Sequence, residues 1–176
     1  VPLIFDPVMV STSGHKLIED DTIAALKAGL FKSADLLTPN LDEAALLSGI
    51  TILSHDDMYS AAKLLVDQGC KAVLLKGGHL DGPVIKDIYV DAAGHSEVFV
   101  SAHVRTPNTH GTGCTLSAAI AANLSLGLTL LEAIGKAKVY LSLALEQGCN
   151  VKTGNGSGPL NHSFDPQCMI KLRIEA

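Results

Sequence analysis

The residues best suited to chemistry are gathered in Asn108-Thr109-His110-Gly111-Thr112-Gly113-Cys114-Thr115, which runs directly into an apolar stretch from Leu116 to Leu124. Gly111 and Gly113 let the backbone turn and a ligand approach it closely, and the residues after them read as the start of a packed helix. The unpaired N–H groups of that first turn, with the positive end of the helix dipole, make a place where an anion such as a phosphate is held by backbone alone. Cys114 stands at that end. A thiol in such a place has its thiolate form favoured, which suits it to act as a base or nucleophile. A cysteine on an apolar helix is more often a small buried hydrophobe, and the octapeptide alone leaves both readings open. The loop fits neither the P-loop nor the GxGxxG pattern, so the two common nucleotide fingerprints do not apply.

Four other residues join the list. Asp6 ends the apolar run Leu3-Ile4-Phe5 and precedes Pro7, so a short buried strand would present its carboxylate into a loop. Asn40 and Glu43 follow a second short strand, Leu36-Leu37-Thr38, closed by Pro39. Their spacing is that of a capping box, which by itself is a sufficient reason for both. Lys76 ends the apolar run Ala72-Val73-Leu74-Leu75 and precedes Gly77-Gly78-His79. A lysine at a strand end beside two glycines reaches a phosphate or is solvated in a turn, and these readings are even.

The elements that must position these residues alternate between strand and helix. A loop containing Ser11, Thr12 and Ser13 leads to a helix over about 19–30, with Ile23, Leu26, Leu30 and Phe31 on one face. The helix begun at Asn40 stops at Gly49, and Ser54-His55-Asp56-Asp57 opens another that runs to Gly69. Residues 85–90 and 97–100, joined through Asp91-Ala92-Ala93-Gly94, predict an antiparallel hairpin. Beyond the helix at Cys114, residues 130–147 predict a second apolar helix with Lys136 and Lys138 on its polar side. Gly154-Asn155-Gly156-Ser157-Gly158-Pro159 is turn-rich. This is an α/β pattern with a mostly parallel sheet flanked by helices. Ligands in such sheets bind beyond the carboxyl ends of the strands, which sets Asp6, Asn40, Glu43, Lys76 and the 111–114 loop along one edge.

With 176 residues, 47% of them hydrophobic, the chain can bury a single core and is read as one domain over 1–176. A formal net charge of -5 without a basic run argues against nucleic acid as a partner. The cysteines 70, 114, 149 and 168 show no CxxC pair and no zinc-finger spacing, so a reduced, cytoplasmic protein is expected. Residues 111–131 lack Asp, Glu, Lys and Arg, but Gly127 divides them, so two buried helices are expected and not a membrane span. The first residues show no signal peptide and read as a core strand.

Taken in order, Asp6-Pro7-Val8-Met9, Thr38-Pro39-Asn40-Leu41-Asp42-Glu43-Ala44, Val73-Leu74-Leu75-Lys76-Gly77-Gly78-His79, the Asn108 to Ser117 block and Gly158-Pro159 closely resemble hydroxymethylpyrimidine/phosphomethylpyrimidine kinase, of the ribokinase-like superfamily. The resemblance runs from Asp6 almost to the end of the chain. It implies a three-layer sandwich and a thiamine-biosynthesis kinase that uses ATP and Mg²⁺ to phosphorylate 4-amino-5-hydroxymethyl-2-methylpyrimidine, then its monophosphate, to the diphosphate. It further implies that Cys114 is the base, that Gly111, Thr112 and Gly113 form the anion hole, and that Lys76 meets the transferred phosphate. Thr109, Ala133, Lys136 and Ala137 would lie on the ATP side, the last three by the adenine, and Asp6, Asn40 and Glu43 would order Mg²⁺ through water. The family begins with a strand and a Gly-rich segment that have no counterpart ahead of Val1. The chain is therefore expected to be the C-terminal, ATP-side portion, without nameable pyrimidine-pocket residues. The alternatives are a pyridoxal or pyridoxine kinase, or a fragment that binds nucleotide without catalysis. A homodimer is implied, with the 85–100 hairpin as one surface that could pair.

Overall fold

The computed structural model describes residues 1–9, 17–78, 80, 82–168 and 170; the Ser11-Thr12-Ser13 stretch and His79 lie outside them. Strands β1 (Ile4–Phe5), β2 (Leu36–Leu37), β3 (Ala72–Leu75), β4 (Val84–Asp91) and β5 (Ser96–Ala102) form one sheet in that spatial order. The first three are parallel, and β4 and β5 complete the sheet as the expected antiparallel hairpin. Helices α1 (Asp20–Gly29), α2 (Leu41–Ser48) and α3 (His55–Asp67) are inserted between the parallel strands, and α4 (Thr112–Ser125) and α5 (Leu130–Gly148) follow the hairpin.

Strand alternation explains the layers. Successive side chains point to opposite faces, so Leu37, Val73, Leu75, Ile88 and Val90 enter one core with Ile23, Leu47, Met58 and Leu65 of the first three helices. Leu36, Ala72, Leu74 and Tyr89 enter the other, with Leu116 and Ile120 of α4 and Ala133, Ile134 and Ala137 of α5. The result is a three-layer α/β/α sandwich, and the central strand β3 is buried along its whole length. Among the described residues no helix is long and apolar enough to cross a membrane.

Local signals set the helix ends. Asn40 Oδ1 accepts from Glu43 N–H and Glu43 Oε2 accepts from Asn40 N–H, while Gly49 closes α2 in the left-handed region at φ 76°. Ser54 and Asp57 repeat this box at α3, and Thr129 with Glu132 builds a third at α5. One expectation fails on α5. Lys136 is exposed, but Lys138 is buried and ion-pairs with Asp87 of β4. Residues two apart on a helix face different ways, so one polar stripe cannot hold both lysines.

Candidate active site

The site grows from the carboxyl ends of β1, β2 and β3. Thr38 N–H donates to Phe5 C=O at 3.0 Å and Lys76 N–H donates to Pro39 C=O at 2.9 Å, which carries the parallel pairing one step past the strands. That step fixes where Asp6, Thr38 and Lys76 leave the sheet. Lys76 Nζ then lies 2.9 Å from Asp6 Oδ1, with both side chains about 15% exposed. The same oxygen accepts from Thr38 Oγ1 at 3.0 Å. Glu43 stands close enough that Lys76 and Asp6 both act on its carboxyl. Burial is the largest influence there and pushes the Glu43 carboxyl above the usual glutamate range, against the pull of the N–H groups of Asn40 and Met9.

The glycine loop meets this cluster. Gly111, at φ 85°, is the residue before α4, a left-handed conformation that suits glycine. Thr115 N–H returns to Gly111 C=O, whereas the N–H groups of Gly113 and Cys114 have no acceptor among the described residues, as the first turn of a helix requires. A Cβ on Gly113 would stand 3.2 Å from Lys76 Nζ and 3.5 Å from Asp6 Oδ2, so the lysine, the acid and the free N–H groups converge on one spot. Cys114 is a free thiol exposed at that turn, and the buried-hydrophobe reading is overturned. Behind the loop, buried Asn108 donates through Nδ2 to the carbonyls of Gly148 and Val151 at 2.7 and 2.6 Å, tying the loop to the end of α5.

From Cys114 an open groove of about 790 Å³ runs between α4 and α5, lined by Ala118, Ala119, Ala122, Lys136 and Tyr140 among others. Pro159 and His162 line its loop end. Pro159 is held there by pairing with His110, whose N–H donates to Gly158 C=O at 3.2 Å. Gly158 has no substitute, because a Cβ would collide with Asn108 Oδ1. His162 Nε2 lies 3.0 Å from Thr115 Oγ1.

The structure therefore brings together Asp6, Asn40, Glu43, Lys76, Gly111, Thr112, Gly113 and Cys114. Lys136 lines the groove, and exposed Thr109 lies one residue before the lining begins. Ala133 and Ala137 stand apart from these residues. Expected beside an adenine, they are fully buried against the sheet, because their i, i+4 spacing follows the core face of α5 while Lys136 and Tyr140 follow the groove face. Tyr140 and His162 also line the groove, while Thr38 stands behind Asp6 and Ser117 behind the loop at Gly113, and nothing in their local sequence marks them for this. Thr38 and Ser117 stood within the motifs, but a contact spanning 79 residues leaves no local signal.

Among the described residues no three His, Cys, Asp or Glu side chains are grouped to hold a metal directly. The hard carboxylate oxygens of Asp6 and Glu43 do suit Mg²⁺, which keeps most of its waters and needs few protein ligands.

A family model described as phosphomethylpyrimidine kinase matches residues 1–161. The chain is 45% identical over 161 residues to the hydroxymethylpyrimidine/phosphomethylpyrimidine kinase of Rhizobium meliloti, covering 90% of this chain and 60% of that protein. It is 42% identical over 170 residues to the probable thiamine biosynthetic bifunctional enzyme, chloroplastic, of Oryza sativa subsp. japonica, covering 94% and 31%. Among solved structures, pyridoxal kinase from Staphylococcus aureus in complex with AMP-PCP superposes with a TM-score of 0.82 at 32% identity, over 92% of this chain and 57% of that one. Phosphomethylpyrimidine kinase from Clostridium difficile superposes with a TM-score of 0.69 at 38% identity, over 82% and 57%. The chain spans less than two thirds of the length of each of these proteins.

Proposed function

Because this chain belongs to the phosphomethylpyrimidine kinase family, whose model matches residues 1–161, we propose that it carries the nucleotide side of an ATP-dependent kinase acting on 4-amino-5-hydroxymethyl-2-methylpyrimidine and its monophosphate. The observation that carries this reading is the meeting of the Lys76–Asp6 pair with the free N–H groups of α4 at Gly113. Phosphoryl transfer needs alignment and charge stabilisation more than covalent help. The Gly111-Thr112-Gly113 turn supplies donors to the charge that develops on the moving group, and Lys76 supplies a cation. Cys114, exposed beside them, takes the proton of the attacking hydroxyl as its oxygen bonds to the γ-phosphorus and the bond to the bridging oxygen of ADP breaks. Asp6 and Glu43, with Asn40 fixing Glu43, hold a hydrated Mg²⁺, which when bound neutralises phosphate charge. The adenosine lies in the groove by Lys136 and Tyr140, with Thr109 outside its lining.

Identity favours pyrimidine over pyridoxal as the substrate, since it reaches 45% and 38% with the pyrimidine kinases and 32% with the pyridoxal kinase. The exposed valines 98 and 100 on the edge strand β5 support a homodimer, and the free, scattered cysteines support a cytoplasmic setting. The test is Cys114→Ala. An alcohol must lose a proton on attack, whereas a phosphate oxygen is already anionic at neutral pH, so the first phosphorylation should slow far more than the second. Equal losses would remove Cys114 from the role of base.

A further inference from the structure

Three oxygen contacts link the acid to the glycine loop: Thr38 Oγ1 to Asp6 Oδ1 at 3.0 Å, Thr38 Oγ1 to Ser117 Oγ at 3.3 Å, and Ser117 Oγ to Gly113 C=O at 2.9 Å. Only two protons serve them, one on each hydroxyl, because an ionised carboxylate and a carbonyl are acceptors alone. The two short contacts lie at the ends and the long one in the middle. Thr38 thus gives its proton to Asp6, which lies nearer than the Phe5 carbonyl at 3.5 Å, and Ser117 gives its own to Gly113. Thr38 is fully buried, its χ1 is stiff, and its N–H is already held by Phe5, so its hydroxyl has little freedom to leave.

We propose that Thr38 is a positioning residue for phosphate capture: its buried hydroxyl holds Asp6, and through Asp6 the Lys76 ammonium, against the first turn of α4. This rests on the reading of that turn as the phosphate site. When Lys76 turns from Asp6 toward a phosphate, Asp6 loses one of the two donors to Oδ1 and keeps Thr38. The carboxylate then stays in place while the lysine moves. Ser117 has the lesser part, because removing its hydroxyl leaves the Thr38 to Asp6 bond intact.

The experiment measures AMP-PCP and AMP binding to the full chain by calorimetry, reading the ratio of the two dissociation constants as the gain from the terminal phosphates. Thr38→Val should cut that ratio about tenfold with AMP binding unchanged, Thr38→Ser should keep it, and Ser117→Ala should stay within about threefold of the parent. An unchanged ratio in Thr38→Val, a loss in Thr38→Ser equal to that in Thr38→Val, or an equal loss in Ser117→Ala would overturn the proposal. A second readout needs no ligand. In urea unfolding, Thr38→Val and Asp6→Ala should fail to add, since each removes the same hydrogen bond. Additive losses would also overturn it. A parent chain that binds neither nucleotide would instead contradict the function proposed above, and the unfolding cycle would still decide the role of Thr38.

Discussion

Gly113→Ala should separate stability from function. Gly113 lies in the first turn of α4 and is not one of the positive-φ glycines, so alanine can adopt its backbone conformation. Replacing glycine by alanine at a compatible helical position stabilises by about 0.4–1 kcal/mol, mostly by restricting the unfolded chain. Against this, the new Cβ would stand 3.2 Å from Lys76 Nζ, the far end of a flexible side chain that can yield by a few tenths of an ångström at small cost while keeping its pairing with Asp6. Folding should therefore be unharmed or slightly improved. Phosphate binding should not escape, because the methyl group occupies the point where Lys76, Asp6 and the helix donors converge. Losing one hydrogen bond to a charged group costs about 1.5–3 kcal/mol, or roughly 10- to 150-fold in affinity. Gly111→Ala is the control with the opposite sign: nothing lies within 4 Å of its Cβ, but φ is 85°, so it should lose about 1–2 kcal/mol of stability from backbone strain. Thermal unfolding and AMP-PCP titration of both variants give the four numbers. Unchanged affinity in Gly113→Ala, or a stability loss as large as that of Gly111→Ala, would refute the reasoning.

Lys138→Met should destabilise by about 3–5 kcal/mol, because it leaves buried Asp87 with the Gly77 N–H as its remaining donor among the described residues. Adding Asp87→Asn should recover much of that loss in denaturant unfolding, since the new amide oxygen still accepts from Gly77, and strict additivity would contradict the pairing. The raised carboxyl of Glu43 gives a stability contribution that is complete below the ordinary glutamate range and fades as pH rises through the raised value. Glu43→Gln, which keeps an acceptor for Asn40, should therefore gain in thermal stability relative to the parent between about pH 4 and pH 7. A gain that shrinks toward neutrality would reverse the assigned sign. Burial pushes the Cys70 thiol up to about 12, so at about pH 8 iodoacetamide should spare Cys70 and modify exposed Cys114 and Cys168. AMP-PCP should protect Cys114 and leave Cys168 reactive, as read by peptide mass, and failure to protect would put the nucleotide away from α4.

Much of this arrangement is written locally. Asn40 with Glu43 and Ser54 with Asp57 announce their helices because a cap needs partners three residues apart, and Thr129 with Glu132 carries the same signal for α5. The edge that gathers Asp6, Asn40 and Lys76 follows from strand ends in an α/β sheet. Faces were harder to read. Lys136 and Lys138 look alike in the sequence, and only their two-residue offset warns that one must turn inward, where Asp87 receives it. Ala133 and Ala137 suit a core and a ligand groove equally by residue type, and packing against Leu116 and Tyr89 decides for the core. Thr38 meeting Ser117 depends on β2 and α4 being packed side by side, which no spacing along the chain encodes.

The most direct test is product formation from ATP by this chain, offered the hydroxymethylpyrimidine, its monophosphate and pyridoxal in parallel, with each product identified by mass. Diphosphate is expected from both pyrimidines, with a slower reaction, or none, with pyridoxal. Phosphorylation of pyridoxal alone, or no transfer and no nucleotide binding, would contradict it.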